Sequence, residues 1–154
     1  MLTELETTIV VRTVHEHDLE AIVDIDAASS KRRRPQYFRS IFDRTRTSPM
    51  QVSLVAEIDG RIVGFLLASV YYGEYGIAEP TASIDAIGVQ PDVRRQRVGH
   101  ELMEQLRSNL HALGVTKFRT EVSWDRIELL AFLASEGFTP APRLCLELAL
   151  RSGL

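Results

Sequence analysis

The stretch that decides the fold is SIDAIGVQPDVRRQRVGHELM, residues 83–103. Its first residues are mostly apolar or β-branched and predict a strand, which Pro91 ends because proline has no N–H to donate to a sheet. An arginine-rich turn follows, and Gly99 lies in the first turn of the next element, where leucines recur at helical spacing. A strand, a basic turn and a helix in this order are typical of a site for an anionic group.

The basic turn suits a phosphate or pyrophosphate. The first N–H groups of a helix have no intrahelical acceptor, and the helix dipole is positive at that end. Gly99 has no Cβ and would let a ligand approach the main chain, while Arg94, Arg95 and Arg97 add positive charge. The alternative is that these arginines only solvate a loop, and the residues alone leave both interpretations open.

The elements on either side predict an α/β fold with a mixed sheet. Asp59-Gly60 joins two apolar runs and predicts a tight hairpin turn with positive φ at both central positions. Strands are predicted over 8–14, 51–58, 61–72, 81–90, 116–124 and 143–151. Helices are predicted over 15–29, 29–48, about 98–113 and about 126–136. We therefore expect a mixed sheet with about four helices on its faces.

The composition is that of one ordinary globular domain over residues 1–154. Hydrophobic residues make up 45% and charged residues 25%, which argues against a disordered, collagen-like or coiled-coil chain. The net charge of -3 gives no global preference for nucleic acid, so any basic function is local.

Cysteine and histidine usage predicts no metal site. Cys145 is the single cysteine, so an internal disulfide and a Cys-based zinc site are excluded. His15 and His17 are two residues apart and would not share one helical face. The N-terminus has no positively charged signal region, and no apolar run approaches the roughly 20 residues of a membrane span. We expect a cytoplasmic protein without a membrane segment.

Together with EVSW (121–124) and LLAFLASEGF (129–138), the deciding stretch resembles the GNAT superfamily of acyl-CoA-dependent N-acyltransferases. The turn of that family follows Q/R-x-x-G-x-G/A, and here it reads RRQRVGH over 94–100, with Arg97 in place of the first glycine. The segment ending in Gly137-Phe138 is similar to the family's Y-x-x-x-G-F, with Leu133 in place of the tyrosine.

The resemblance implies where acetyl-CoA, the acyl donor, would bind. It also implies a mostly antiparallel sheet of six to seven strands. In the family the fourth and fifth strands splay apart, and the pantetheine arm lies in the gap. By position, Ile87 and Val89 would bond the pantetheine amides, and the Val89 N–H would polarise the thioester carbonyl. Gly88 fits either a bulge there or plain packing. The residues of the turn that would hold the pyrophosphate are Arg94, Arg95, Gln96, Arg97, Val98, Gly99 and His100.

Acyl transfer to an amine with a pKa of roughly 10.4 requires a proton acceptor, and Asp85 is the candidate general base. Residues two apart share a strand face, so Asp85 is predicted on the face of Ile87 and Val89. The alternatives for its charge are an exposed edge or a salt bridge to Arg119. Glu121 and Glu79 are the other candidate bases.

Because Leu133 stands at the tyrosine position, no general acid is assigned; Tyr71, Tyr72, Tyr75 and water are the candidates.

The expected function is N-acetyl transfer from acetyl-CoA to a primary amine of a small molecule, peptide or protein, by direct attack. One alternative is a silent acyl-CoA-binding module. Another is a protein or nucleic-acid interaction module that uses the basic region from Lys31 to Arg46. In the family this region borders the acceptor site, and its arginines would favour an acceptor with a carboxylate or phosphate, or an acidic peptide. The acceptor, the acyl chain and a homodimer are left open.

Overall fold

The structure is a computed structural model that describes residues 6–48 and 50–151. The chain divides into two compact units, the first ending at Glu121 and the second beginning at Val122. Within the described residues, no helix has the length and apolar character needed to cross a membrane.

The first unit contains a five-stranded sheet in the order β1-β2-β3-β4-β5. The strands are β1 (Val10–Thr13), β2 (Gln51–Ile58), β3 (Arg61–Tyr71), β4 (Thr81–Val89) and β5 (Lys117–Arg119). Neighbouring strands pair antiparallel, except for the parallel pair β4 and β5. The turn between β2 and β3 has φ values of 50° at Asp59 and 77° at Gly60, which confirms the predicted hairpin geometry. The prediction of a mixed, mostly antiparallel sheet is confirmed.

Helices cover both faces of this sheet. They are α1 (Leu19–Ser30), α2 (Pro35–Thr47) and α3 (Val98–Ala112), all in the first unit. The second unit contains α4 (Ile127–Ser135). The first two helices pack on one face, where Ile22, Ile25 and Phe38 form one apolar core with Phe65 and Leu67 of β3. Helix α3 packs on the opposite face. Successive residues of β3 point to opposite faces, and Gly64, which precedes Phe65, lies against Val98 and Leu102 of α3.

Gly64 sets how closely α3 approaches the sheet. A Cβ at this position would lie 2.8 Å from Cγ1 of Val98 and 3.2 Å from Cδ1 of Leu102. Gly64 is also the register partner of Val89, the last residue of β4. The missing side chain therefore brings the N-terminal turn of α3 close to the end of β4. Sequence reasoning did not single out this glycine, because a glycine inside an apolar strand has no unique meaning.

The C-terminal tail corrects the expected strand count. Residues 143–151 were expected to close the sheet, but no strand forms there, and the sheet of the described residues has five strands instead of six to seven. Leu144, Leu146, Leu148 and Leu150 are 84–88% exposed. Alternating leucines specify which face of a strand is apolar, whereas a strand also needs a hydrogen-bonding neighbour that the alternation does not specify.

Candidate active site

The strands β4 and β5 separate part-way along β4. Their parallel pairing joins Thr81–Ser83 to Lys117–Arg119 and then ends. Beyond it, the hydroxyl of Thr120 donates a 3.2 Å hydrogen bond to the carbonyl oxygen of Ile84. From there to Val89, β4 has no strand partner on this side within the described residues. This stretch of β4 therefore has an open edge, which agrees with the expected splay between the fourth and fifth strands.

The main chain of β4 directs its donors into this gap. The N–H of Gln90 donates to the carbonyl oxygen of Val63 on β3 at 2.8 Å. Successive peptide groups of a strand point to opposite edges, so the N–H groups of Val89 and Ile87 point away from β3. These are the two residues at which the resemblance places the pantetheine contacts.

Gly88 is a packing glycine. A Cβ there would lie 2.6 Å from Cε1 of Phe65 and 3.1 Å from Cγ2 of Ile25, so the residue faces the core beneath α1. Of the two interpretations of Gly88, packing agrees with these contacts. The register shift of β4 lies elsewhere, at Asp85.

The turn between β4 and α3 is tightly wound. A short 3-10 turn over Pro91–Val93 follows the strand, and the N–H of Gln96 donates to the carbonyl oxygen of Val93 at 3.0 Å. Arg97 then adopts a left-handed conformation with φ of 67°, and α3 begins at the next residue. Glycine enters this conformation readily. Arg97 therefore replaces the first glycine of the GNAT pattern while keeping a glycine-like backbone.

The side chains of the turn divide into exposed and buried groups. Val98 is fully buried and packs over Gly64, so only its main chain is available to a ligand. Gly99 and His100 are half-buried at the start of the helix. The exposed members are Arg94, Arg95, Gln96 and Arg97. Three arginines with exposed side chains thus directly precede the N-terminus of α3, and positive charge at a helix N-terminus favours an anion.

Asp85 lies on a different face from the one predicted. Leu67 pairs with Ala86 and Ala68 with Ile84, which leaves Asp85 as an extra residue in β4. The alternation of faces changes at this irregularity, so Asp85 is not on the face of Val89. Its Oδ2 instead accepts a 2.5 Å hydrogen bond from Oγ of Ser69, on the side of the sheet covered by α1 and α2. The prediction of a shared face was wrong because it assumed an unbroken period of two.

The environment raises the pKa of Asp85. Asp85 is an exposed residue, but the surrounding protein shields its carboxyl group from part of the water. This loss of hydration raises the pKa of Asp85 above the ordinary value. The hydrogen bond from Ser69 and the positive charge of Arg44 act in the opposite direction and are weaker. The guanidinium group of Arg119 lies over the ring of Tyr75, 4.8 Å from its centroid. The alternative of a salt bridge between Asp85 and Arg119 is thus not the arrangement found.

Much of the basic region between Lys31 and Arg46 is neutralised within the chain. Arg33 pairs with Asp24. The Arg34 guanidinium group pairs with Asp26 at 2.8 Å and also lies 4.5 Å from the ring centroid of Tyr37. A third pair, 2.7 Å long, joins Arg39 and Glu16. These ion pairs weaken the interpretation of this region as a nucleic-acid surface, because a phosphate backbone would have to compete with them.

The two N-terminal histidines come closer than expected. A 3-10 turn, and not an α-helix, brings ligand atoms of His15, His17 and Asp18 within 4.8 Å of one another. The buried Asp18 carboxylate already accepts hydrogen bonds from Arg12 at 2.7 and 3.0 Å and from the His15 N–H at 2.7 Å. We interpret the group as a structural ion pair that connects β1 to α1, and we assign no metal to it.

The candidates for a general acid remain dispersed. Leu133 is 5% exposed and has no proton to give. The exposed fractions of Tyr71, Tyr72 and Tyr75 are 36%, 61% and 74%. Tyr71 lies two residues from Ser69 on β3 and shares its face, but among the described residues Ser69 and Asp85 bond each other and not the Tyr71 hydroxyl. We assign no general acid.

Comparison with known proteins agrees with this geometry. The sequence profile of the Acetyltransferase (GNAT) family matches residues 19–138. The chain belongs to the GNAT acetyltransferase family. No curated protein sequence matches it.

Solved structures show the same GNAT fold at low identity. A transcriptional regulator from Bacillus halodurans C-125 is 22% identical, with a TM-score of 0.79 over 93% of this chain and 100% of its own. The aminoglycoside N-acetyltransferase AAC(6')-Iy, in complex with CoA, is 17% identical, with a TM-score of 0.81 over 96% and 99%. The aminoglycoside antibiotic 6'-N-acetyltransferase AAC(6')-Ih from Acinetobacter baumannii is 18% identical, with a TM-score of 0.81 over 94% and 100%.

Proposed function

We propose that this GNAT protein transfers an acetyl group from acetyl-CoA to a primary amine by direct attack. The observation that carries the proposal is the open edge of β4, where the Val89 N–H points into the gap at the end of the strand. The basic N-terminal turn of α3 lies close to the same end, because Val98 packs on Gly64, the register partner of Val89. A donor site for a thioester and a site for an anion are therefore adjacent.

The residues of this region fit acetyl-CoA, which supplies the thioester when bound. Ile87 and Val89 offer main-chain groups at the open edge for the pantetheine amides. Arg94, Arg95 and Arg97 offer exposed guanidinium groups for the phosphates, and Gly99 adds no side chain at the first turn of α3. Two similar structures of the aminoglycoside N-acetyltransferase AAC(6')-Iy contain CoA or a CoA bisubstrate analogue, which supports the choice of donor.

Val89 would stabilise the charge that develops on the thioester oxygen. Its N–H is held in place by the antiparallel pairing of β4 with β3, so little reorganisation accompanies the reaction. A single preorganised donor of this kind contributes about 100-fold to 1,000-fold in kcat in other acyl transfer enzymes. Since the donor is a main-chain group, the side chain at this position is free to vary.

Asp85 would accept the proton of the attacking amine. The raised pKa makes its carboxylate a stronger base than an ordinary aspartate, and exposure to solvent leaves it accessible to an acceptor. The amine nitrogen then attacks the thioester carbon, the C–S bond breaks, and the thiolate of CoA takes a proton from solvent.

A silent acyl-CoA-binding module is the second candidate. The observation that favours it is the buried Leu133 at the position where the family pattern has a tyrosine. Such a module would bind acyl-CoA at the donor site but would not transfer the acyl group to an amine.

The release of CoA thiol from acetyl-CoA, followed with a panel of primary amines, tests the proposal. We expect thiol release that depends on the amine and is saturable in both substrates. Tight binding of acetyl-CoA in calorimetry with no thiol release from any amine would instead establish the silent module. Absence of binding to any CoA species would contradict both candidates.

A further inference from the structure

A row of polar side chains crosses the sheet on the side of α2 and ends at Asp85. The hydroxyl of Thr45 on α2 lies 3.1 Å from Oγ of Ser53 and 3.4 Å from Oε1 of Gln51, both on β2. Gln51 is the register partner of Ser69 on β3, and Ser69 donates to Asp85 on β4. We call Thr45, Gln51, Ser69 and Asp85 the polar row.

The polar row borders an apolar core on the same face of the sheet. Phe38, Ile41 and Phe42 of α2 are buried against Leu67 of β3, two residues before Ser69. Polar groups inside such a core are costly unless they are hydrogen-bonded, and the hydroxyls of Thr45 and Ser69 each have a partner. The polar row ends at Asp85, which is exposed, so an acceptor molecule would approach Asp85 from this side of the sheet.

Arg44 is the cation that the structure leaves available beside the polar row. It directly precedes Thr45, its side chain is exposed, and its charge acts on Asp85. Among the described residues, no ion pair within 4.0 Å involves Arg44, whereas Arg33, Arg34 and Arg39 each have an acidic partner. Of the basic region, Arg44 is therefore the arginine that combines access to the site with an unneutralised charge.

We propose that Arg44 determines acceptor specificity, and that the acceptor is a primary amine that also carries a carboxylate or phosphate. The inference rests on the proposed acetyl transfer at Asp85. The amine would bind at Asp85 and the anionic group at Arg44, so that the two opposite charges of the acceptor meet two opposite charges of the protein. A polycationic amine would be attracted to the Asp85 carboxylate but repelled by the Arg44 guanidinium group.

Matched acceptors test the preference with the full chain and acetyl-CoA. The pairs are γ-aminobutyrate with 4-aminobutanamide, and O-phosphoethanolamine with ethanolamine, while spermidine serves as the polycation. We expect a higher kcat/KM for the anionic member of at least one pair, expressed mainly in KM. The ratio within the pair should fall about 1.4-fold to fivefold in Arg44→Gln, which is the usual range for an exposed ion pair.

Two further variants keep the test specific to charge. Arg44→Lys should retain most of the preference, and Arg44→Glu should reverse it toward spermidine. Arg46→Gln is the matched control, because Arg46 lies on the same helix with its guanidinium group over Phe42, 5.9 Å from the ring centroid. Arg46→Gln should leave the ratio unchanged, and thermal unfolding should show that all variants are folded.

The outcomes separate this inference from the proposed function. Acetylation of amines with no preference for the anionic members, or with the same ratio in Arg44→Gln as in the natural chain, would overturn the role of Arg44 alone. Absence of acetylation with every amine would contradict the proposed acetyl transfer itself.

Discussion

The proposed donor side and the proposed acceptor side of the candidate site are built from different parts of the chain. On the donor side, the main chain of β4 and of the turn before α3 supplies the groups, and glycine-like backbone at Arg97 shapes the turn. On the acceptor side, side chains from separate elements supply them, as the contact between Ser69 and Asp85 shows.

This difference has a consequence for specificity. A main-chain site tolerates changes of side chain, so one donor geometry can persist in proteins that differ in most residues. A side-chain site changes with each substitution, so it is the part that adapts to different acceptors. Substitutions on the donor side should therefore affect binding of every CoA species, and those on the acceptor side should affect pH dependence and choice of amine.

The largest expected effect is on the donor side. Gly99→Glu places a side chain and a negative charge at the first turn of α3, where the phosphates are proposed to bind, and should abolish CoA binding in calorimetry. Ser108→Glu is the matched control, because Ser108 is exposed on the same helix and far from its N-terminus. Equal CoA affinity in the two variants would remove the turn from the donor site.

Asp85→Asn should lower kcat by about 100-fold near neutral pH, the usual contribution of a general base. In the natural chain, kcat/KM should fall as the pH drops through the pKa of Asp85, which burial raises above its ordinary value. That acidic limb should disappear in the variant, and activity should recover in part at high pH, where more of the amine is neutral. A pH profile with the same acidic limb would exclude Asp85 as the base.

Ser69→Ala should move the acidic limb to higher pH. The hydroxyl of Ser69 donates to the Asp85 carboxylate and favours its ionised form, so its loss raises the pKa of Asp85 further. Unfolding in denaturant should show a loss of about 1 kcal/mol. Ser53→Ala is the control, because Ser53 is also buried on this face but bonds Thr45 instead of Asp85. An identical shift in both variants would show that Ser69 acts only through packing.

The smallest effect concerns the backbone of the turn. Arg97→Gly and Arg97→Ala remove the same charge, but only glycine relieves the left-handed conformation. The glycine variant should be more stable than the alanine variant by about 1 kcal/mol, and both should bind CoA more weakly than the natural chain. Equal or lower stability of the glycine variant would contradict the left-handed geometry at this position.

The sequence predicted the strand, the turn and the helix of the proposed donor side, because these elements depend on local features. The strand that Pro91 ends, the basic turn and the helix from Val98 are contiguous, and periodicity with a few special residues is enough to place them. The hairpin at Asp59-Gly60 was predicted for the same reason. Arg97 is the exception, since an arginine in a left-handed conformation has no signature in a single sequence.

The acceptor side could not be predicted in the same way, because it depends on pairing between distant elements. The extra residue in β4 changes the face of Asp85, and nothing in the alternation of β4 marks it. Ser69 is one serine in an apolar strand until the register places it against Asp85. The tail was misjudged for a related reason, since its alternating leucines resemble a strand but do not specify a partner.

Amide hydrogen exchange followed by NMR, with and without acetyl-CoA, tests the central claim most directly. If the pantetheine arm lies along the open edge of β4, the amides of Ile87 and Val89 should exchange more slowly when acetyl-CoA is added. The amide of Gln90 already donates to Val63 and should change little. Slower exchange confined to the turn before α3, with the amides of Ile87 and Val89 unaffected, would contradict the proposed donor site.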